Sequence, residues 1–175
     1  MSAVAPSSRK SPRQAKMSEA IRRFGQFRWQ DVELLAYKQD GSAPFRDITR
    51  QTLFHSPNLA CELRYFEIAP GGYSTLERHE HMHAVMILRG KGRCLVGDKV
   101  SDVGPNDLVE IAPLTWHQFC ADQGEALGFL CLVNVERDRP QLPEEKDLAE
   151  LGGNPEIGDF IKVEASKNSK TVIPA

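Results

Sequence analysis

Histidine occupies three alternate positions in the run His79-Glu80-His81-Met82-His83, and His117 follows downstream. The chain has five histidines in all, so four of them fall in two short stretches. Neutral imidazole nitrogens are good ligands for first-row transition metals. In a strand, residues i, i+2 and i+4 project from one face, which makes the run a candidate metal-binding face. A straight strand is not enough. Its first and third histidines would lie ~13 Å apart at a rise of ~3.3 Å per residue, whereas a metal–nitrogen bond is only ~2 Å long. Binding one ion through His79 and His83 therefore requires a turn or sharp bend between them.

The elements that must position these side chains are short strands. Leu59–Ala69 alternates loosely and ends at the turn signal Pro70-Gly71-Gly72. Tyr73–His79 reads as the next strand, and His83–Leu88 is a nearly continuous apolar run. Arg93–Val96 and Lys99–Val103 flank Gly97-Asp98, a pair suited to a tight hairpin. Leu108–Ile111, Thr115–Ala121 and Leu127–Asn134 complete the series after the turn Gly104-Pro105-Asn106-Asp107. Strands this short and evenly spaced predict an all-β sandwich or barrel.

Around that series the composition changes. Residues 1–16 are rich in Ser, Pro, Lys and Arg and read as a disordered arm. Residues 17–47 form an N-terminal extension. In it Ser18–Phe24 is a short amphipathic helix, and Phe24, Phe27 and Trp29 cover the open end of the domain or a homodimer partner. The strands span 48–135. A C-terminal extension over 136–164 carries a helix that begins at Pro143-Glu144-Glu145 and is stopped by Gly152-Gly153, and 165–175 is a disordered tail.

The 175 residues, 41% of them hydrophobic and 26% charged, suit one domain with a hydrophobic core. A net charge of −2 gives no reason to expect nucleic acid or a membrane as partner. No apolar run approaches the ~20 residues of a membrane span, and the N-terminus lacks an apolar signal segment. A soluble, cytoplasmic protein is expected. Cys61, Cys94, Cys120 and Cys131 form no Cys-x-x-Cys pair and read as buried thiols in a reducing compartment.

The spacing around the histidines resembles the cupin family. Its first motif runs Gly-x5-His-x-His-x3-4-Glu-x6-Gly, and Gly71, Glu77, His79, His83 and Gly90 fall at those positions. Glu77 stands where the first histidine is usual and His83 where the glutamate is usual. The second motif is matched more loosely by Asn106, Ala112, Leu114 and His117. The resemblance covers roughly residues 45–135. It implies a small single-domain metal-binding cupin of the cupin-2 conserved-barrel type, a double-stranded β-helix or jelly-roll barrel.

The resemblance also implies a ligand set. Glu77 and His79 would end one strand, His83 would begin the next, and Glu80-His81-Met82 would be the turn between them. His79, His83 and His117 are then ligands, and either Glu77 or His81 is the fourth. The one left over, Glu77 or His81, is the candidate catalytic base. A mostly imidazole shell suits one divalent ion of Mn, Fe, Zn, Ni or Cu. The expected function is a metal-dependent enzyme acting on a small oxygen-bearing metabolite, either a dioxygenase-type oxidoreductase or an isomerase or lyase. The alternative is a non-catalytic small-molecule-binding or sensor cupin. Tyr73 and Gln118 are candidate polar groups of the pocket, Met86 and Phe129 belong to its apolar wall, and Trp116 packs. Cys131 lies on the closing strand, which in cupins passes near the metal. His55 is expected at the surface.

Overall fold

The structure is a computed structural model and describes residues 21–38 and 43–163. It divides into two units at Asp31. In the first, strands β1 (Phe24–Gly25) and β2 (Arg28–Trp29) pair antiparallel. Gln26 and Phe27 between them both take positive φ, the conformation of a tight hairpin turn. Phe24 meets Phe27 and Trp29 edge-on at 5.4 and 5.1 Å between ring centroids. The helix expected over Ser18–Phe24 does not form in its described part: Ile21–Arg23 is irregular and Phe24 opens a strand. Its first residues lie outside the described range, as do the two expected disordered ends.

The second unit is a single curled antiparallel sheet of nine strands. They are β3 (Leu35–Ala36), β4 (Arg46–Ser56), β5 (Cys61–Tyr73), β6 (His83–Arg89), β7 (Gly92–Val96), β8 (Lys99–Val103), β9 (Leu108–Ile111), β10 (His117–Ala121) and β11 (Leu127–Asn134). The order across the sheet is β8-β7-β10-β5-β11-β6-β9, with β4 also on β5 and β3 on β4. This is the expected jelly-roll barrel.

One strand makes the curl. The first part of β5 pairs with β11 from Cys61 to Ile68, and its last residue, Tyr73, pairs with Cys120 of β10. Pro70-Gly71-Gly72, read from sequence as the end of a strand, is instead a corner inside β5. Gly71 takes φ +69°, and a Cβ on Gly72 would sit 2.6 Å from the Arg46 carbonyl oxygen. Only glycines let the chain turn here while staying in register. The expected strand Tyr73–His79 is correspondingly absent. Only the isolated bridges Glu77–His117 and Arg78–Gln141 remain of it.

The Gly97-Asp98 hairpin forms as expected, with Val96 opposite Lys99. Asn106 adopts the left-handed conformation at φ 75° in the following turn.

Two hydrophobic clusters result. The larger fills the barrel with inward residues such as Ile48, Phe66, Val85, Phe119 and Phe129. The smaller lies between Leu76, Leu95 and Val100 and two short helices, α1 (Glu145–Gly152) and α2 (Pro155–Phe160), which contribute Leu151, Ile157 and Phe160. The second helix was not anticipated. Its start signals are plain: the Asn154 side chain accepts from the Glu156 N–H at 3.0 Å, and Pro155 occupies the first turn. Among the described residues, no helix is long and apolar enough to cross a membrane.

Candidate metal centre

The bend that a shared ion requires is present. After the Glu77–His117 bridge, the chain leaves the sheet at His79 and re-enters it at His83, the first residue of β6. The Leu114 N–H donates to the His79 carbonyl at 2.7 Å, pinning this segment to the loop before β10. His117 is the first residue of β10, so the two loops bring all three imidazoles together. His79, His83 and His117 each offer one ligand atom, and these atoms lie within 4.8 Å of one another. His79 and His117 are almost wholly buried, at 2% and 5% exposure.

Their hydrogen bonds select the free nitrogen. His79 Nδ1 lies 2.7 Å from the His81 carbonyl, and His117 Nδ1 lies 3.0 Å from the Thr115 carbonyl. A carbonyl can only accept, so each Nδ1 carries the proton and each Nε2 keeps its lone pair. The buried Nε2 atoms of His79 and His83 have no hydrogen-bond partner. A buried nitrogen without a partner is costly unless something fills the position. These residues therefore fit a metal ion, which would take the orphaned nitrogens. Burial also keeps the rings neutral, as ligation demands. Desolvation, aided by the neighbouring histidines, pushes His79 down to about 4 and His83 further still. Burial lowers His117 as well.

Neither Glu77 nor His81 joins that group. The buried Glu77 carboxylate receives Lys38 Nζ at 2.6 Å on one oxygen and the Tyr37 hydroxyl at 3.1 Å on the other. Burial, together with this carboxylate, raises Tyr37 well above its ordinary value, so the phenol stays a donor. His81 stacks on His79 with ring centroids 3.7 Å apart and an interplanar angle of 9°. Its Nδ1 is 2.7 Å from Asp138 Oδ1. Burial opposes ionisation of Asp138, but hydrogen bonds from the Glu80 N–H and from His81 outweigh it and hold the carboxyl down to about 2.

The histidines open into a cavity of about 220 Å³. Phe129 forms part of its wall, as expected. Cys131 also faces it, with Sγ 3.7 Å from His83 Nδ1 and 3.9 Å from Arg64 Nη2. Burial pushes this thiol up, and Arg64 opposes that shift. Other expectations fail. Met86 points outward and is 41% exposed, because in β6 it alternates with the inward Val85 and Ile87. Tyr73 lies beyond the Gly71 corner, under Arg46, away from the histidines. Gln118 is buried, but its amide is used up by the Ser74 and Lys162 carbonyls and the Lys162 N–H. Trp116 packs, under the Arg78 guanidinium at 4.5 Å. His55 is exposed, 3.3 Å from Glu62. All four cysteines are free thiols.

The sequence did not flag Tyr37, Lys38, Arg50, Arg64, Arg137 or Asp138, all of which line the same cavity. A signal existed for Arg64. It alternates with Phe66 and Ile68 on the inward face of β5, where a charged residue is out of place unless it serves a site.

The sequence profile of the Cupin_2 family, a cupin domain, matches residues 64–133. A protein from Rhodospirillum rubrum named 1-methylthio-D-xylulose 5-phosphate methylsulfurylase is 60% identical over 136 residues, which is 78% of this chain and 87% of that protein. The chain belongs to the cupin family. Solved cupins agree with its fold and with most of its length. A cupin 2 conserved barrel domain protein from Rhodopseudomonas palustris superposes with a TM-score of 0.77 at 59% identity, covering 81% of this cupin and 99% of the other. A cupin-2 domain protein from Rhodospirillum rubrum gives 0.73 at 58% identity, covering 80% and 95%. The polyketide cyclase RemF from Streptomyces resistomycificus, at 22% identity and a TM-score of 0.60 over 81% of this cupin and 99% of that chain, shares the fold.

Proposed function

We propose that this cupin is a metal-dependent enzyme that acts on a methylthio ketose phosphate, 1-methylthio-D-xylulose 5-phosphate or a close analogue, and removes its methylthio group. The observation that carries the proposal is the meeting of three imidazoles and one thiol in a single cavity, in a chain 60% identical to a protein named for that substrate. This narrows the oxygen-bearing metabolite expected from sequence to a ketose phosphate.

His79, His83 and His117 would hold one divalent ion of Mn, Fe, Zn, Ni or Cu, which when bound supplies a Lewis acid to the ketone oxygen. The chain's own residues do the rest. Cys131 provides a soft sulfur beside the ligand His83, and Arg64 favours its thiolate. Attack of that thiolate on the methylthio sulfur forms an S–S bond and breaks the C1–S bond. The electron pair left on C1 is conjugated with the C2 ketone and is quenched by a proton. A second thiol, a small-molecule reductant, then takes the methylthio group from Cys131 as a mixed disulfide and restores the enzyme. His81, its Nδ1–H held by Asp138, would take the thiol proton of Cys131 on Nε2 and return it to C1. Glu77, with both oxygens engaged by Lys38 and Tyr37, fixes the cavity wall rather than serving as a fourth ligand.

The test is direct. Chain loaded in turn with each of the five metals is mixed with 1-methylthio-D-xylulose 5-phosphate and a thiol, and substrate loss is followed by phosphorus NMR. Without the second thiol, mass spectrometry of the intact protein should show a methylthio adduct that Cys131→Ser lacks. No consumption with any of the metals overturns the proposal, and turnover by Cys131→Ser at the wild-type rate removes the thiol from it.

A further inference from the structure

One part of the cavity wall carries three arginines with few acidic partners. Arg50 of β4, Arg64 of β5 and Arg137, three residues past the end of β11, all line it. Thr52 lies opposite Arg64 and Arg50 opposite Phe66, so the register of β4 on β5 sets the two arginines side by side on the inward face. Arg64 and Arg50 both depress the pKa of Arg137, after burial itself, which places the three guanidiniums within electrostatic reach of one another.

Among the described residues, the carboxylate that pairs with these guanidiniums is Glu62. It lies 3.4 Å from Arg64 Nε and 3.4 Å from Arg137 Nη2, and its other oxygen faces His55. Lys38 is matched by Glu77, and Asp138 is matched by His81. Glu62 thus serves two of the three guanidiniums, and Arg50 has no carboxylate partner among the described residues. The Nε atoms of Arg50 and Arg64 are buried and make no hydrogen bond. Clustering like charges in a half-enclosed wall, with donors left open, is unfavourable unless an anion completes it.

We infer that Arg50, Arg64 and Arg137 form the receptor for the phosphate end of the substrate. The inference rests on the ketose phosphate proposal for the identity of the anion, but its physical basis is the charge of the wall alone. Planar guanidiniums bind phosphate through paired N–H donors, which a lysine cannot reproduce. The geometry also gives the substrate a direction. Cys131 Sγ lies 3.9 Å from Arg64 Nη2 and 3.7 Å from His83 Nδ1, so the sulfur is next to both the anion receptor and the metal ligands. A five-carbon chain with phosphate at one end and a methylthio ketone at the other spans such a site lengthwise. The phosphate fixes which end reaches the thiol, and ketoses without it should bind weakly and in no fixed orientation.

The test uses the full chain, metal-loaded and metal-stripped, with inorganic phosphate as the probe in calorimetry and chloride as the control anion. Wild type should bind phosphate saturably in both forms. Arg50→Gln and Arg137→Gln should each weaken it by about 10-fold or more. Arg50→Lys should recover part of the loss, since it keeps the charge. Thermal unfolding and metal content, measured alongside, show whether each variant is folded. In turnover, the glutamine variants should raise KM for the phosphorylated ketose far more than KM for its dephosphorylated form.

Saturable phosphate binding that the arginine variants abolish, with no turnover of the ketose phosphate, would sustain the receptor and sink the proposed substrate. Turnover with KM and phosphate binding unaltered in both glutamine variants would sink the receptor and leave the substrate standing. Failure of wild type to bind phosphate in either form also overturns the receptor. Should Arg50→Gln or Arg137→Gln not fold, the lysine variants and the wild-type preference for phosphorylated over dephosphorylated ketose decide the matter.

Discussion

The two apolar clusters of the barrel are built from similar strands but treat polar atoms in opposite ways. Where α1 and α2 cover the sheet, no buried side-chain nitrogen or oxygen among the described residues lacks a partner. Gln118 ties Ser74 to Lys162, and Asp147 accepts from the Glu144 N–H at 2.9 Å. Phe160 is 1% exposed, and Arg93 lies over its ring at 5.3 Å. Inside the barrel the opposite holds. Arg50 Nε, Arg64 Nε, Thr75 Oγ1, His79 Nε2 and His83 Nε2 are buried without hydrogen bonds, and all five residues line one cavity. Such atoms cost roughly 1–3 kcal/mol each when left bare. A fold that satisfies its polar groups on one side and leaves them open on the other has set stability and function apart.

That separation can be broken by matched substitutions. Phe160→Ala should lower stability by about 3–5 kcal/mol and the melting temperature by roughly 10 °C, with metal stoichiometry intact. His83→Leu should do the reverse. It removes an orphaned nitrogen and a ligand, so metal binding disappears, while the metal-free protein melts at the wild-type temperature or above it. Calorimetric melting together with metal analysis after dialysis reads both. A folded Phe160→Ala that loses its metal, or a His83→Leu that unfolds without metal as readily as Phe160→Ala, would show that the two regions are not independent.

The sequence disclosed the two regions unequally. The barrel was legible because turn residues punctuate it: Gly97 and Asn106 take left-handed backbone conformations that other residues resist. The same vocabulary misled at Pro70-Gly71-Gly72, since glycine permits a corner within a strand as readily as an end to one. His79, His83 and His117 were legible because their spacing fits a bend plus a neighbouring strand. Lys38, Arg50 and Arg137 were not. Lys38 follows β3, which pairs with β4, Arg50 depends on the register of β4 on β5, and Arg137 sits in the turn after β11; no local pattern encodes register between distant strands. For Cys131 the parity was readable, as it alternates with the inward Phe129 and Val133 on β11. What it would face was not readable without the closed barrel.

Acid should separate the regions by a smaller margin. His79 titrates near 6.5 in the unfolded chain but only at about 4 when folded, and His83 and His117 shift the same way. A depressed folded value means that the unfolded state binds protons first. The stability of the metal-free protein is therefore intact above pH 6.5 and is lost as pH falls from there toward 4. The slope reaches up to about 1.4 kcal/mol per pH unit for each such histidine. Denaturant titrations across that range should show a shallower slope for His83→Leu. For Phe160→Ala the whole curve should sit lower at the wild-type slope. Equal slopes in all three proteins would mean that the buried imidazoles do not govern the acid response.

The smallest effect belongs to the contact that anchors the loop carrying His79 and His81 to Asp138. Asp138 accepts from the Glu80 N–H at 2.9 Å through one oxygen and meets His81 Nδ1 at 2.7 Å through the other. His81 in turn stacks on His79 and offers it a carbonyl. Asp138→Asn keeps one carbonyl oxygen but supplies an amide donor in place of the second acceptor, so the His81 ring loses its anionic partner while the loop can keep its anchor. Stability should change by less than about 1 kcal/mol. Metal affinity should fall by roughly 10-fold, at the mild end of what loss of an outer partner costs. Asp138→Ala removes both acceptors and should exceed it. If competition with a chelator finds both variants equal to wild type, His81 and Asp138 merely line the cavity, and the three histidines hold the metal with no help from the Asp138 contact.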